Sequence, residues 1–194
     1  MKILPVQIFG VLISLLTAPA FAQSTDSKEG GVKILIDFLP EETKIWSPIN
    51  DSVMGGVSRS SIEQASDSTA VFKGVVSLEN NGGFASIRSK AQRFDLSDYK
   101  GVHIRVKGDG KRYQFRIRTD ARFDGPNYQT TFETTAREWT VHQFSFADFI
   151  ATYRGRRLPD HPPIDPAKVQ SFGFLIADKQ KGPFELEVDW IGAD

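Results

Sequence analysis

The chain has 194 residues, with 24 basic and 24 acidic side chains, three histidines and no cysteine. Balanced charge gives no global field to draw nucleic acid or an anionic membrane, and the missing thiols exclude disulfides, thiol catalysis and thiolate metal sites. His103, His142 and His161 stand far apart without metal-ligand spacing, so neither a metal nor another cofactor is expected.

In chain order, Lys2, the apolar run Ile3 to Leu16 and Ala20-Phe21-Ala22 form the n-region, h-region and A-x-A site of a secretory signal peptide. Cleavage after Ala22 would release a periplasmic or secreted protein. The apolar run is short and broken by Pro5 and Pro19, and no later stretch approaches the roughly 20 apolar residues of a membrane span. Residues 23–31 are polar and end in glycine, the composition of a flexible leader. Residues 32–194 are then one domain, large enough to bury its own core.

The window Trp46 to Ser60 packs turn formers, two adjacent glycines and an arginine into one short stretch. Gly55-Gly56 permits positive φ or a backbone approach that a side chain would block, and Asn50, Asp51, Ser52 and Ser58 can bond neighbouring amides. The window reads equally as a tight structural loop and as a binding loop using Asn50, Asp51, Met54, Gly55, Gly56, Ser58 and Arg59. Asn80-Asn81-Gly82-Gly83-Phe84 repeats the same chemistry, with a hairpin turn as its plainer reading. A third candidate, Tyr153-Arg154 at the head of the basic cluster ending at Arg157, offers guanidinium for carboxylate or phosphate.

Elsewhere the period is two. Phe184, Leu186, Val188 and Trp190 alternate with Glu185, Glu187 and Asp189, and similar runs occupy Val102–Lys107 and Tyr113–Arg118. Further strands are expected at Ile34–Phe38, Ala70–Leu78, Phe84–Ser89, Tyr128–Thr134, Thr140–Phe146 and Ser171–Ala177. Gly108-Asp109-Gly110 reads as a hairpin that would set Arg105 and Lys107 beside Gln114, Arg116 and Arg118 on a basic face, solvated in the first instance. Single helical turns are expected at Asp95–Tyr99 and Ser145–Phe149, and an extended proline loop from Leu158 to Pro166. So many short strands imply an all-β antiparallel sandwich or barrel.

The Asn50–Ser60 window resembles the signature of the complex I intermediate-associated protein 30 family. Asn80–Ser86, Arg105–Tyr113, Tyr128, Trp139, Phe149, Arg154-Gly155, Gly173, Gly182-Pro183-Phe184 and Asp189-Trp190-Ile191 follow in the family's order. The resemblance implies a galactose-binding-like jelly-roll β-sandwich with short helical turns. It further implies a non-enzymatic assembly-factor role on a protein partner, since mitochondrial relatives act as chaperones for an early intermediate of respiratory complex I. Those relatives work in the matrix, whereas an exported chain would meet an envelope protein. Two alternatives stand beside this reading: a carbohydrate-binding module using Trp46, Tyr128 and Tyr153 as stacking platforms, and a hydrolase using a carboxylate pair.

Overall fold

The computed structural model describes residues 28, 29 and 31–194. The expected signal peptide and most of the leader lie outside the described residues; Lys28–Glu29 (β1) pairs with Val32–Ile36 (β2). Thereafter the strands are Trp46–Pro48 (β3), Arg59–Gln64 (β4), Ala70–Val76 (β5), Ala85–Ser89 (β6), Gly101–Lys107 (β7), Arg112–Arg118 (β8), Asn127–Glu133 (β9), Trp139–Ser145 (β10), Ile150–Tyr153 (β11), Arg156–Arg157 (β12), Ser171–Ile176 (β13) and Gly182–Ala193 (β14). Every run read as a strand from its alternation is one, with ends moved by three residues or fewer. The strands that sequence leaves unmarked are short, or, like β4 with Ile62 as its one large apolar residue, lack an apolar alternation.

These strands form two seven-stranded sheets with antiparallel ladders, the galactose-binding-like jelly roll. In the first, β1-β2-β14-β5-β4 lie in order, and β14 also pairs β7, which pairs β10. In the second the order is β12-β11-β9-β8-β13-β6-β3. The core lies between them because each pleat sends alternate side chains inward: Val102, Ile104, Val106, Phe184, Leu186 and Val188 from one sheet meet Tyr113, Phe115, Ile117, Phe172, Phe174 and Ile176 from the other, all buried. Phe115 is its centre, with the rings of Phe144, Phe149, Phe172 and Phe174 between 5.3 and 6.2 Å away.

Three connections differ from their expected form. Gly108-Asp109-Gly110 is not a hairpin: β7 belongs to the first sheet and β8 to the second, so the segment crosses the sandwich. Gly110 takes φ 87° as a turn glycine does, but Asp109 ties the crossing to β14, accepting from the Tyr113 hydroxyl at 2.9 Å and the Glu185 amide at 3.1 Å. Asn80–Gly83 likewise crosses from β5 to β6, with Asn80 and Asn81 left-handed at φ 55° and 58°. A demand for positive φ is shared by hairpins and crossings, so local composition cannot separate them. The Asp95–Tyr99 turn closes on one bond, Tyr99 N–H to the Leu96 carbonyl at 3.1 Å, and does not become helix. Ser145 and Asp148 do form a capping box around a single helical turn.

Candidate functional site

The Trp46–Ser60 window is three elements rather than one loop: edge strand β3, a helical turn at Asp51–Met54, and the start of β4. At its centre Asp51 is fully buried, and its carboxylate accepts from Ser58 N–H at 2.9 Å, Ser58 Oγ at 2.5 Å, Gly83 N–H at 2.7 Å and Phe84 N–H at 3.3 Å. Burial alone would raise this carboxyl; the bonds from Ser58, Gly83 and Phe84 outweigh it and hold the group below the ordinary carboxylate value. Asn50 extends the tie, its Oδ1 accepting from Ser60 Oγ at 2.7 Å and Ser86 N–H at 3.3 Å. The two glycine-rich segments therefore do meet, and Asp51 links them.

The glycines follow from that carboxylate. A Cβ on Gly56 would lie 2.4 Å from Asp51 Cγ, and one on Gly82 would lie 2.5 Å from Asp51 Oδ2. The close approach that the sequence signals is thus made by the chain's own aspartate. Gly55 has a different reason, open space and φ 89°, capping the turn with its N–H on the Asp51 and Ser52 carbonyls.

Around this knot the surface turns apolar. Of eight exposed large hydrophobic side chains among the described residues, five lie on two adjoining segments: Val53, Met54 and Val57 on one, Val75 and Leu78 on the other. Arg59 is paired with Val75 across the β4–β5 ladder, and Ser58 Oγ bonds both the Ser77 N–H at 2.9 Å and its carbonyl at 3.2 Å, which holds the segments side by side.

The outer face of the second sheet carries the other concentration of chemistry. Register places Gln114 and Arg116 on β8, Gln129 on β9, Gly173 on β13, Arg88 on β6 and Ser47 on β3 on one side of the pleat. Arg116 Nη2 donates to Gln114 Oε1 at 2.9 Å and Gln129 Oε1 at 3.1 Å; Arg118 Nη2 donates to the Gly125 carbonyl at 3.1 Å; Arg88 Nη1 donates to the Phe123 carbonyl at 3.0 Å. The face is basic and polar, as alternation suggested, but its arginines are partly buried, Arg118 to nine-tenths, instead of solvated. Burial first, then the neighbouring Arg118, lowers Arg116 to about 10 and also lowers Arg88. Arg105 and Lys107 lie on the other sheet, where they pair with Asp189 and Glu187 and stack on Trp139 at 4.8 and 4.9 Å.

An open cavity of about 670 Å³ separates the two regions. Asn50, Ser52 and Val53 form one wall, Asp120, Arg122 and Phe123 the other, with Arg88 and Arg118 between. The Asp120–Phe123 wall escapes sequence reasoning because it lies in a loop of no period; its one signal is Phe123 standing alone among charged residues, and it is 69% exposed. Tyr153 and Arg154 brace this loop, donating to Asp124 Oδ2 at 3.1 and 2.5 Å. Arg154 and Gly155, at φ 48° and 77°, make the turn of the β11–β12 hairpin. Asn80 and Asn81 remain at the crossing, away from the cavity lining.

One sequence reading needs correcting. Trp46 and Tyr128 are buried, Trp46 stacked on Phe38 at 5.2 Å and Phe174 at 5.9 Å, so neither is an exposed sugar platform. Glu187 and Asp189 are not free carboxylates, being held by Lys107 and Arg105, with Thr69 donating to Glu187 at 2.8 Å.

Comparison with known proteins agrees with this architecture. The family model described as complex I intermediate-associated protein 30 matches residues 36–188. The mitochondrial complex I intermediate-associated protein 30 of Drosophila melanogaster is 25% identical over 190 residues, covering 86% of this chain and 64% of that protein. The Mus musculus protein of the same name is 27% identical over 172 residues, covering 78% and 52%. The chain thus spans half to two thirds of the length of these relatives. Among solved structures, the family 11 carbohydrate-binding module of cellulosomal cellulase Lic26A-Cel5E of Clostridium thermocellum superposes with TM-score 0.64 at 16% identity, covering 84% of this chain and 94% of that one. The same module in complex with a β-1,3-1,4-mixed-linked tetrasaccharide gives TM-score 0.63 at 18% identity, with coverage of 84% and 94%. At such identity the likeness is one of fold alone.

Proposed function

This chain belongs to the complex I intermediate-associated protein 30 family, and from that premise we propose that it is a non-enzymatic binding module of assembly-factor type, exported to the envelope, that docks a protein partner on the apolar rim around Asp51. The carrying observation is the gathering of Val53, Met54, Val57, Val75 and Leu78, all exposed, on the two segments that Ser58 holds together. Clustered exposed apolar side chains on a domain with an ample core mark a partner surface, because their exposure lowers solubility without adding to the fold. Asp51 gives that surface its rigidity, so a partner would meet a preformed shape and little ordering entropy would be lost.

Carbohydrate binding is the weaker reading, since only Tyr153 of its three expected platforms stays at the surface. Hydrolysis is weaker still, with Glu187 and Asp189 neutralised by cations.

The test is a Val53→Ser/Met54→Ser double variant. Both side chains are 62% exposed, so stability is expected to change by less than about 0.5 kcal/mol. Proteins that co-purify with the tagged wild type from its native envelope should be lost; an unchanged set removes the rim as the docking surface. Export is checked separately: the protein recovered from the envelope should begin at Gln23, and a full-length cytoplasmic product contradicts the envelope assignment.

A further inference from the structure

Arg88, Arg116 and Arg118 share a peculiarity. The neighbouring loop carboxylates are already taken, Asp120 by Arg122 at 2.7 Å and Asp124 by Arg154 at 2.5 Å. Among the described residues the three guanidiniums have only carbonyl and amide oxygens as hydrogen-bond partners, with Arg88 also 5.0 Å over the Phe123 ring. The Nε atoms of Arg116 and Arg118 are buried with no acceptor at all. Arg118, nine-tenths buried, lines the cavity beside Arg88, and its charge adds to burial in loosening the hold of Arg88 and Arg116 on a proton. Withdrawing cations from water is costly unless a counter-charge is bonded to them, and Asp120 and Asp124, whose charges favour ionised Arg118, make their bonds to Arg122 and Arg154.

We infer that the cavity between Arg88 and Arg118 is an anion site that takes the carboxylates of an acidic peptide segment. The lining holds five cations, Lys44, Arg88, Lys90, Arg118 and Arg122, against the single carboxylate of Asp120. Guanidinium's planar fork of donors matches a carboxylate bidentately. Apolar walls from Ile45, Pro48, Ile49 and Phe123 suit the methylenes of glutamate side chains better than a bare inorganic ion. Val53 belongs both to the apolar rim and to the cavity wall, so a chain docked on the rim leads directly into the cationic cavity. The inference rests on the protein-partner reading for its source of peptide, but the arginines and the rim are separate residues and either can fail alone.

The experiment is fluorescence anisotropy of labelled hexaglutamate with the purified full chain. Wild type should bind hexaglutamate but not hexaglutamine, more weakly as salt rises. Arg88→Gln should weaken binding about tenfold or more, the loss of one charge-assisted pair, while Arg137→Gln, at an exposed arginine outside the cavity lining, should leave it unchanged. Arg88 is only partly buried, so its variant is expected to keep the fold and carries the test even if Arg118→Gln unfolds. Equal binding by wild type and Arg88→Gln overturns the site. Inorganic phosphate binding where hexaglutamate does not would overturn the peptide assignment.

Discussion

Asp51→Ala is expected to lower the free energy of unfolding by about 3–5 kcal/mol, because one truncation orphans several donors at once. The N–H groups of Ser58, Gly83 and Phe84 lose their acceptor, Ser58 in a buried position and the other two partly buried. Only the Ser58 hydroxyl has a ready alternative, the Ser77 carbonyl at 3.2 Å. Denaturant unfolding of the two proteins measures the difference, and a loss below about 1 kcal/mol would mean that water replaces the carboxylate freely. The pH dependence has a definite sign. Asp51 has a lower pKa folded than unfolded, so its contribution is complete above the ordinary value of 3.8 and disappears as pH falls through the folded value beneath it. The stability gap between wild type and Asp51→Ala should therefore be flat at neutral pH and narrow only in strong acid.

Gly56→Ala is expected to cost about 2–3 kcal/mol, for a steric reason. The added Cβ would meet Asp51 Cγ, Oδ1 and Cβ at 2.4, 2.5 and 2.8 Å, so the carboxylate must leave its four bonds or the turn must open. Because both substitutions break the same contact, the Asp51→Ala/Gly56→Ala double variant should lose clearly less than the sum of the singles. Strict additivity in that cycle would place the cost of Gly56 elsewhere. Gly55→Ala is the useful contrast: nothing crowds the new methyl, and its smaller cost would come from the left-handed backbone at φ 89° alone.

How far the sequence anticipates this molecule follows from the range of each signal. Alternation is local, and the runs through Phe115, Phe174 and Leu186 give strand, face and core together. Sheet membership is not local: Gly108-Asp109-Gly110 and Asn80–Gly83 carry turn chemistry, yet which sheet the chain enters next depends on Tyr113 and Asp51 finding partners many residues away. The window from Asn50 to Arg59 stands out for its glycines, and the reason for them, a buried aspartate of the same chain, needs the fold before it can be seen. The arginine row is legible as a basic face, but its burial depends on strands β6, β13 and β8 lying side by side and on the Asp120–Gly125 loop folding over them.

The second sheet ends in β3 on one side and β12 on the other. β3 is three residues long and closes with Pro48, which has no amide to offer; β12 is two residues, Arg156 and Arg157, both exposed and charged. Neither terminal strand offers a long unbroken row of amides, the kind of edge that favours edge-to-edge pairing and the aggregation that follows from it. The basic cluster after Tyr153 thereby has an effect that involves no ligand: like charge at the margin opposes pairing between copies of the protein.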